Sequence, residues 1–316
     1  MKVIEHIEQA TETLFTIEIL PPKKGEDIHT LFQHIDTLMD FNPAFIDVTY
    51  HREEYVYKEM GDGMLKKYVT RKRPGTVGIC AAIQNRYHVD TVPHVICGGF
   101  SKEDTENMLI DLDFLGIHNV LVLRGDPVKT EPGFMPHPEG HCYANELIGQ
   151  IAGMNRGNYL YEEPSATPTD FCIGAAGYPE KHFESPNLDT DLYYLKQKVE
   201  AGAEFIVTQM FFDNQVYFNF VELCRANGIN VPIIPGLKPM ATLNHLTALP
   251  KYFFLDIPED LRKEVAKCKD NKQVREVGIE WCVQQCRELK AAGVPCLHFY
   301  TMSKSEMVRR VAEQVY

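Results

Sequence analysis

The sequence has no long apolar run, no excess of positive charge and no CxxC motif, and each absence excludes a class of protein. No segment approaches the roughly 20 apolar residues of a membrane-spanning helix, so no membrane partner is expected. The opening stretch MKVIEHIEQATETLF lacks the apolar core of a secretion signal, which predicts a cytoplasmic protein. The net charge of -12 repels phosphates, so we expect no nucleic acid partner.

The nine cysteines show no disulfide or metal pattern. Their number is odd and they lie in apolar segments, so we interpret them as small buried residues. Cys282 and Cys286 have a spacing that allows a shared metal on a helix, but packing is the favoured interpretation. HPEGH (137–141) imitates a zinc spacing, but its proline and glycine predict a loop. We therefore expect no metal.

Four segments share one pattern, in which a helical repeat reaches a glycine and a strand-like run follows within a few residues. They are FLGIHNVLVLRGD, EAGAEFIVTQMFF, RANGINVPIIPGL and KAAGVPCLHFYT. The glycines Gly116, Gly202, Gly228 and Gly293 stand where a left-handed helix cap is needed. Helices that alternate with buried strands predict a parallel sheet.

Eight strands can be counted, and the third is ambiguous because two strand-like runs lie close together. The candidates are 14–20, 44–50, 77–83 or 92–97, 119–123, 171–178, 205–212, 231–237 and 296–301. Eight such units predict an α/β fold, a (β/α)8 TIM-type barrel, as a single domain over 1–316 with an extra N-terminal helix. Two long βα loops, 127–141 and 155–170, are inserted. A doubly wound sheet is the alternative, although no GxGxxG follows any strand.

Polar residues stand at the predicted carboxyl ends of the strands, where barrel enzymes place their reactive groups. The apolar run NVLVL leads directly into Arg124 and Asp126, which is explained if the run fills the barrel and the charges reach its mouth. The alternative is an ordinary surface ion pair. His94 is either a ligand contact or a core imidazole, and Gln209 either a contact or part of a polar layer.

Glu18 lies within the apolar run LFTIEILPP, between Ile17 and Ile19. A carboxylate in such surroundings is poorly solvated, which raises its pKa and suits a general acid. The alternative is an outward-facing glutamate on an alternating strand. Only the joint placement of these polar residues favours a functional site.

Eight motifs, in chain order, resemble 5,10-methylenetetrahydrofolate reductase of the bacterial type that has the catalytic barrel alone. They are EILPPK, DVTYH, PHVIC, LRGDP, GYPEKH, VTQMFFD, PGLKP and HFYT. The resemblance implies noncovalent FAD at the barrel rim and ping-pong hydride transfer. NADH or NADPH reduces the flavin, and methylenetetrahydrofolate is then reduced to 5-methyltetrahydrofolate, in the one-carbon metabolism that serves methionine biosynthesis. It also implies a homo-oligomer.

The resemblance assigns roles by motif. It makes Glu18 the acid that opens the folate ring, while Asp126 holds the pterin and adjusts the flavin, and Gln209 grips the pterin. Tyr300, Lys304 and His245 fall on substrate-binding positions. The FAD-contact positions are occupied by Thr49, His94, Arg124, Gly125, Asp126, Tyr143, Ala144, Tyr178, His182, Asp191 and Lys198.

Several positions depart from the family pattern. The aromatic FEFFPP of the family is IEILPP here, and Leu249 follows His245 where a stacking phenylalanine can stand. Lys304 replaces an arginine, and Lys238 adds a charge. These departures leave NADH, NADPH and a protein electron donor open. Another pterin or flavin barrel enzyme, such as a pterin-dependent methyltransferase or a proline dehydrogenase, and a noncatalytic scaffold are the alternative functions.

Overall fold

A nearly closed parallel barrel is the central element of the protein in this computed structural model, which describes residues 1–61, 63–128, 131–161, 166–302 and 304–316. Within these ranges, nine strands form the barrel in the order β10-β11-β1-β2-β5-β6-β7-β8-β9. They are β1 (Leu14–Ile19), β2 (Phe45–Val48), β5 (Asp90–Ile96), β6 (Asn119–Leu123), β7 (Cys172–Gly177), β8 (Phe205–Thr208), β9 (Ile233–Ile234), β10 (Gly236–Leu237) and β11 (Cys296–Tyr300).

The strands β9 and β10 share one position in the barrel, which gives the eight positions that the sequence predicts. Pro235 separates them and has no N–H to donate to a neighbouring strand. Strand β9 pairs with β8, and β10 pairs with β11, so the short interruption joins the two ends of the sheet. The predicted TIM-type barrel is thus confirmed.

Helices surround the barrel and begin with the predicted N-terminal helix. They are α1 (Val3–Gln9), α2 (Ile28–Asp36), α3 (Thr76–Tyr87), α4 (Lys102–Phe114), α5 (Ala144–Met154), α6 (Leu188–Ala201), α7 (Asn214–Ala226), α8 (His245–Phe253), α9 (Glu259–Ala266), α10 (Asn271–Ala291) and α11 (Ser305–Val315), with a 3₁₀ turn at Met39–Phe41. The four predicted cap glycines have positive φ. Among the described residues, no helix is long and apolar enough to cross a membrane.

The structure decides the ambiguous third strand and adds one element that the sequence did not predict. The third strand is β5, and residues 77–83 belong to α3, where the buried Ile79, Cys80 and Ile83 follow a helical spacing. An antiparallel hairpin, β3 (Glu54–Glu59) with β4 (Leu65–Thr70), was not anticipated. Parts of the two long loops, 129–130 and 162–165, lie outside the described residues.

The floor of the barrel is apolar. One cluster of buried side chains comprises Phe45, Val92, Leu121, Cys172, Phe205, Val207, Ile234 and Cys296. Val3 of α1 joins this cluster and is completely buried, and its N–H donates to Asn119 Oδ1 at 2.8 Å. The N-terminal helix therefore covers the bottom of the barrel, and any site must lie nearer the other end. Cys282 and Cys286 are likewise buried, in the core outside the barrel.

Candidate active site

A layer of polar side chains lies inside the barrel above the apolar floor. Thr16, Asp47 and His298 are completely buried, and His94 is nearly so. Thr16 Oγ1 lies 3.0 Å from His298 Nδ1. His94 Nε2 lies 3.7 Å from Asp47 Oδ2. Buried polar groups cost free energy unless they are paired, so a layer of this kind is typical of a functional site.

Glu18 lies in this interior and is only 9% exposed, so the alternative of an outward-facing glutamate is wrong. Its Oε2 is 3.5 Å from His94 Nε2. Burial raises the pKa of Glu18 to about 7, and the nearby Asp47 adds to this, whereas His94 and Lys238 oppose it. A carboxyl group with such a pKa is protonated in about half of the molecules at neutral pH, which suits a general acid.

Lys238 lies near Glu18, and two further titratable side chains lie near Lys238. Burial lowers the pKa of Lys238 to about 8, although Glu18 opposes this effect. His245, at the start of α8, accepts a hydrogen bond from the Ala241 N–H at 3.2 Å, and burial and Lys238 lower its pKa. Lys304 is exposed just before α11, and its charge also acts on Lys238. The predicted substrate-binding positions His245 and Lys304 therefore lie near Lys238, whose charge in turn acts on Glu18.

Tyr300 and Gln209 follow neighbouring parts of the barrel. The Tyr300 hydroxyl donates to the Thr208 carbonyl at 2.6 Å, and its pKa is raised by burial and by Glu18, Asp47 and Tyr178. The Gln209 Oε1 accepts a hydrogen bond from the Met210 N–H at 2.9 Å. The Tyr300 hydroxyl is thus held at the end of β8, whereas the Gln209 side chain bonds to the backbone of its own loop.

A second group of predicted residues surrounds two cations, Arg124 and Lys198. Arg124 pairs with Glu184 at 2.6 Å and lies 4.8 Å above the Phe134 ring. Lys198 Nζ donates to the Ala176 carbonyl at 2.9 Å, and burial lowers its pKa to about 8. The His182 ring packs edge-on against Tyr178 at 4.7 Å. A basic cluster thus lies at the mouth of an acidic protein.

Backbone and carboxylate groups hold this cationic group in place. Asp191 accepts hydrogen bonds from the His182 N–H at 3.1 Å and from the Ser185 hydroxyl at 2.9 Å. Gly125 has φ +87, and a Cβ there would press on the Ile96 side chain. Asp126 is exposed, and its charge acts on the pKa values of His51 and Tyr178.

The remaining predicted cofactor positions lie around the same mouth. Tyr143 is the exposed residue before α5 and acts electrostatically on Arg124, and Ala144 is the first residue of that helix. Thr49 follows β2, and its N–H donates to the Ile19 carbonyl at 3.1 Å. Its Oγ1 is buried and has no hydrogen-bond partner in the described parts of the chain.

This donor set fits a dinucleotide. Arg124 and Lys198 supply positive charge for a diphosphate, which forms charge-assisted hydrogen bonds with such groups. His182, whose pKa is lowered by burial, adds an imidazole ring beside them. The buried Thr49 hydroxyl offers an unused donor at the same end of the barrel. By contrast, no group of three or more metal-ligating side chains occurs within the described ranges.

Sequence reasoning missed Asp47 and His298. Asp47 lies in FIDV, where it reads as one polar position of a buried strand, and His298 opens the motif HFYT. Both are completely buried and face the interior of the barrel. The usable signal was the alternation of β1, β2 and β11, which places Thr16, Glu18, Asp47, His298 and Tyr300 on the inner face. Leu249, by contrast, is buried among Met210, Met240 and Leu261.

Architecture and site define a class, the (β/α)8 barrel proteins with titratable and cationic groups at the carboxyl ends of the strands. Comparison with known families is more specific, because the model for methylenetetrahydrofolate reductase matches residues 2–316. The chain belongs to this family, as its motifs predicted.

Relatives of known name come from several kingdoms. Methylenetetrahydrofolate reductase 1 of Schizosaccharomyces pombe is 34% identical over 98% of this chain and 47% of its own length. Methylenetetrahydrofolate reductase (NADH) 1 of Arabidopsis thaliana is 33% identical over 96% of this chain and 49% of its own. The chain thus spans about half the length of these eukaryotic relatives. The 5,10-methylenetetrahydrofolate reductase of Escherichia coli is 29% identical over 92% of this chain and 87% of its own.

A solved structure supports the fold. It is an uncharacterized protein from Clostridium thermocellum that binds two copies of 5-methyl-5,6,7,8-tetrahydrofolic acid. Its TM-score is 0.54 at 13% identity, over 98% of this chain and 96% of that one. At this identity the likeness concerns the barrel alone.

Proposed function

We propose that residues 1–316 form one catalytic domain that reduces 5,10-methylenetetrahydrofolate to 5-methyltetrahydrofolate, with hydride from a reduced pyridine nucleotide and with bound FAD. Family membership supports the reaction. The observation that supports placing the reaction at this site is the burial of Glu18 near the mouth of the barrel, which raises the pKa of its carboxyl group to about 7. The structural neighbour that binds a methylated folate agrees with this substrate class.

The roles of the residues follow from their positions. When bound, FAD supplies a carrier that holds a hydride between two half-reactions, which gives ping-pong kinetics. Arg124 and Lys198 would offset its diphosphate, with His182 beside them, and Thr49, Gly125, Tyr143, Ala144, Tyr178 and Asp191 complete the binding site. Asp126 and Gln209 orient the pterin, which is catalysis by positioning.

Glu18 acts on the folate. The five-membered ring of the substrate opens when Glu18 gives a proton to the ring nitrogen that leaves the methylene carbon, and this carbon then accepts hydride. Tyr300, His245 and Lys304 contact the rest of the folate. Lys304 meets the glutamate tail with the single charge of an ammonium group, whereas an arginine would offer two parallel N–H donors.

Anaerobic spectroscopy of the purified protein tests the proposal. Flavin absorbance is expected to bleach with NADH or NADPH and to return when methylenetetrahydrofolate is added, with 5-methyltetrahydrofolate detected by mass spectrometry. Comparison of the two nucleotides assigns the donor, since both are named among the relatives. A folded protein that binds no flavin, or a reduced flavin that the folate does not reoxidise, would falsify the proposal.

We also propose that the chain forms a homo-oligomer through its hairpin. Tyr57, Leu65 and Val69 of β3 and β4 are more than half exposed, and a lone hairpin is marginally stable in water. Residues 51–73 contain seven Lys or Arg against four Asp or Glu in a chain of net charge -12, so the hairpin is attracted to a second copy. Sedimentation analysis is expected to show a multiple of 36.1 kDa, and a monomer at working concentrations would exclude this.

A further inference from the structure

Asp47 is a buried acid that the proposed mechanism does not use. It is completely buried, and neither carboxylate oxygen has a hydrogen-bond partner among the residues that the structure describes. Buried carboxyl groups are normally paired, because an isolated charge in the interior is costly. Burial raises the pKa of Asp47 to about 7, and His298 opposes this. At neutral pH this group is therefore able to hold a proton.

The geometry connects Asp47 to the predicted acid through one atom. His94 Nε2 lies 3.5 Å from Glu18 Oε2 and 3.7 Å from Asp47 Oδ2, and it too has no hydrogen-bond partner in the described ranges. Both distances are slightly longer than a hydrogen bond, so a small rotation of the ring brings the nitrogen to either carboxyl group. Imidazole exchanges protons readily near neutral pH.

The proposed function, on which this inference rests, requires a group that can return a proton to Glu18. Each reduction adds one hydride to the methylene carbon and one proton to the ring nitrogen. Glu18 is left as a carboxylate while bound ligand covers the barrel mouth. The apolar floor, which α1 covers, separates the interior from solvent at the other end. Any internal replacement proton must therefore come from the polar layer.

We propose that Asp47 is a positioning residue that keeps Glu18 supplied with protons through His94. The proton leaves the Asp47 carboxyl group for His94 Nε2, and the resulting imidazolium donates the proton from the same nitrogen to the Glu18 carboxylate. No electrons are transferred, and Asp47 is left as a carboxylate until the mouth opens and a solvent proton replaces the one it gave. The Nδ1 of His298 lies 3.0 Å from Thr16 Oγ1, and its Nε2 is buried with no hydrogen-bond partner in the described ranges.

The charges around Asp47 determine the expected pH dependence. Three titratable side chains face Asp47: Glu18 of β1, His94 of β5 and His298 of β11. The charge of Asp47 also acts on the pKa values of the Cys80 and Cys296 thiols and of the Tyr300 phenol. Burial raises the pKa of both thiols and of the phenol, so they stay neutral near pH 7. Asp47 raises the pKa of Glu18. Removing the Asp47 charge must therefore lower the pKa of Glu18.

Rapid-mixing measurement of the two half-reactions in Asp47→Asn tests the inference. The donor half-reaction should be unchanged within about twofold, whereas the folate half-reaction should slow by about tenfold or more. The alkaline fall of the folate half-reaction should move to lower pH. The matched control is Thr91→Val, which removes a buried hydroxyl that lies against the Cys80 thiol of α3, and its pH profile should match that of the wild type.

A second measurement needs no turnover. In the wild-type protein without ligands, the NMR signals of the His94 ring should shift near pH 7 as its two carboxyl neighbours titrate, and the shift should diminish in Asp47→Asn. Assignment by His94→Gln identifies the signals. An unchanged folate half-reaction in Asp47→Asn, or a His94 ring that does not respond around pH 7, overturns the inference. A wild-type flavin that the folate cannot reoxidise instead overturns the proposed function, whatever the NMR shows.

Discussion

At the scale of single residues, the position of Glu18 combines two opposing influences. Burial inside the barrel disfavours its charge, whereas His94 and Lys238 favour it. Burial is the larger effect, so the pKa rises to about 7. A fully buried glutamate with no cation nearby would stay protonated and transfer its proton poorly. Lys238 is the neighbour that carries a positive charge near neutral pH, because burial lowers the pKa of His94 below its ordinary 6.5. Lys238 therefore helps to keep the acid in the range where it can both give and regain a proton.

Glu18→Gln should separate the two half-reactions. Glutamine keeps the shape and hydrogen-bonding capacity of the side chain but has no proton to transfer. Flavin binding and reduction by the donor are expected to persist, while the folate half-reaction falls by about 10²–10⁴-fold. Rapid mixing under anaerobic conditions measures both steps. Glu200→Gln, on the exposed face of α6, is the control and should behave as the wild type. Normal folate turnover by Glu18→Gln would mean that another group is the acid.

The pH profile of the wild type follows from the same residue. The acid works in its protonated form, so the folate half-reaction should be fast below about pH 7 and fall as the pH rises through the Glu18 pKa of about 7. The single-turnover rate of flavin reoxidation between pH 6 and 9 measures this. An unchanged rate up to pH 9 would exclude Glu18 as the group that limits the step.

The sequence predicted the residues at strand ends better than those inside the barrel. Glu18, Arg124 and Tyr300 were found because each interrupts or ends an apolar run, a pattern that a single segment reveals. Asp47 was missed because its neighbours in the polar layer, His94 and His298, lie on other strands and no local spacing connects them. Pairing across a barrel depends on strand register, which only the folded chain provides.

At the scale of elements, the helix and strand units were predicted because a glycine marks the end of each helix just before the next strand. The hairpin β3–β4 was missed, although EYVYKE and LKKYVT alternate in polarity and a GDG stretch lies between them. It interrupts the helix and strand repeat, and neither of its faces is buried, so the periodic burial that identified the barrel strands is absent. The strand β8 also ends at Thr208, where the following Gln209 bonds within its loop.

Gly278→Ala should destabilise the protein through the contact between α10 and the loop after β10. A Cβ at Gly278 would overlap the Met240 carbonyl oxygen, and backbone atoms cannot give way as a flexible side chain can. The expected loss is about 1–3 kcal/mol in the free energy of unfolding, measured by urea denaturation. Gly149→Ala in α5 is the control. A Cβ there meets nothing within 4 Å, so alanine should be neutral or stabilise by up to about 1 kcal/mol. Equal effects at both sites would contradict the packing seen here.

At the scale of the whole molecule, the polar layer makes stability depend on pH. Glu18 and Asp47 have folded-state pKa values of about 7, above their ordinary 4.5 and 3.8. The folded protein therefore binds more protons than the unfolded chain between about pH 4 and 7, and stability from these groups is lost as the pH rises through that window. Burial lowers the pKa values of His94 and His298, which gives the opposite slope below about pH 6.5. The wild-type curve thus sums opposing contributions.

Variants isolate the carboxyl contribution, because the difference between two curves cancels what they share. Glu18→Gln and Asp47→Asn should each gain stability relative to the wild type as the pH rises from about 5 to 8, by on the order of 1–3 kcal/mol, since the amide has no charge to bury. Urea denaturation at several pH values measures this, with Glu200→Gln expected to run parallel to the wild type. Parallel curves for all three variants would show that both carboxyl groups titrate normally. A gain in stability together with a loss of folate reduction would show that the layer is retained for its chemistry at the expense of the fold.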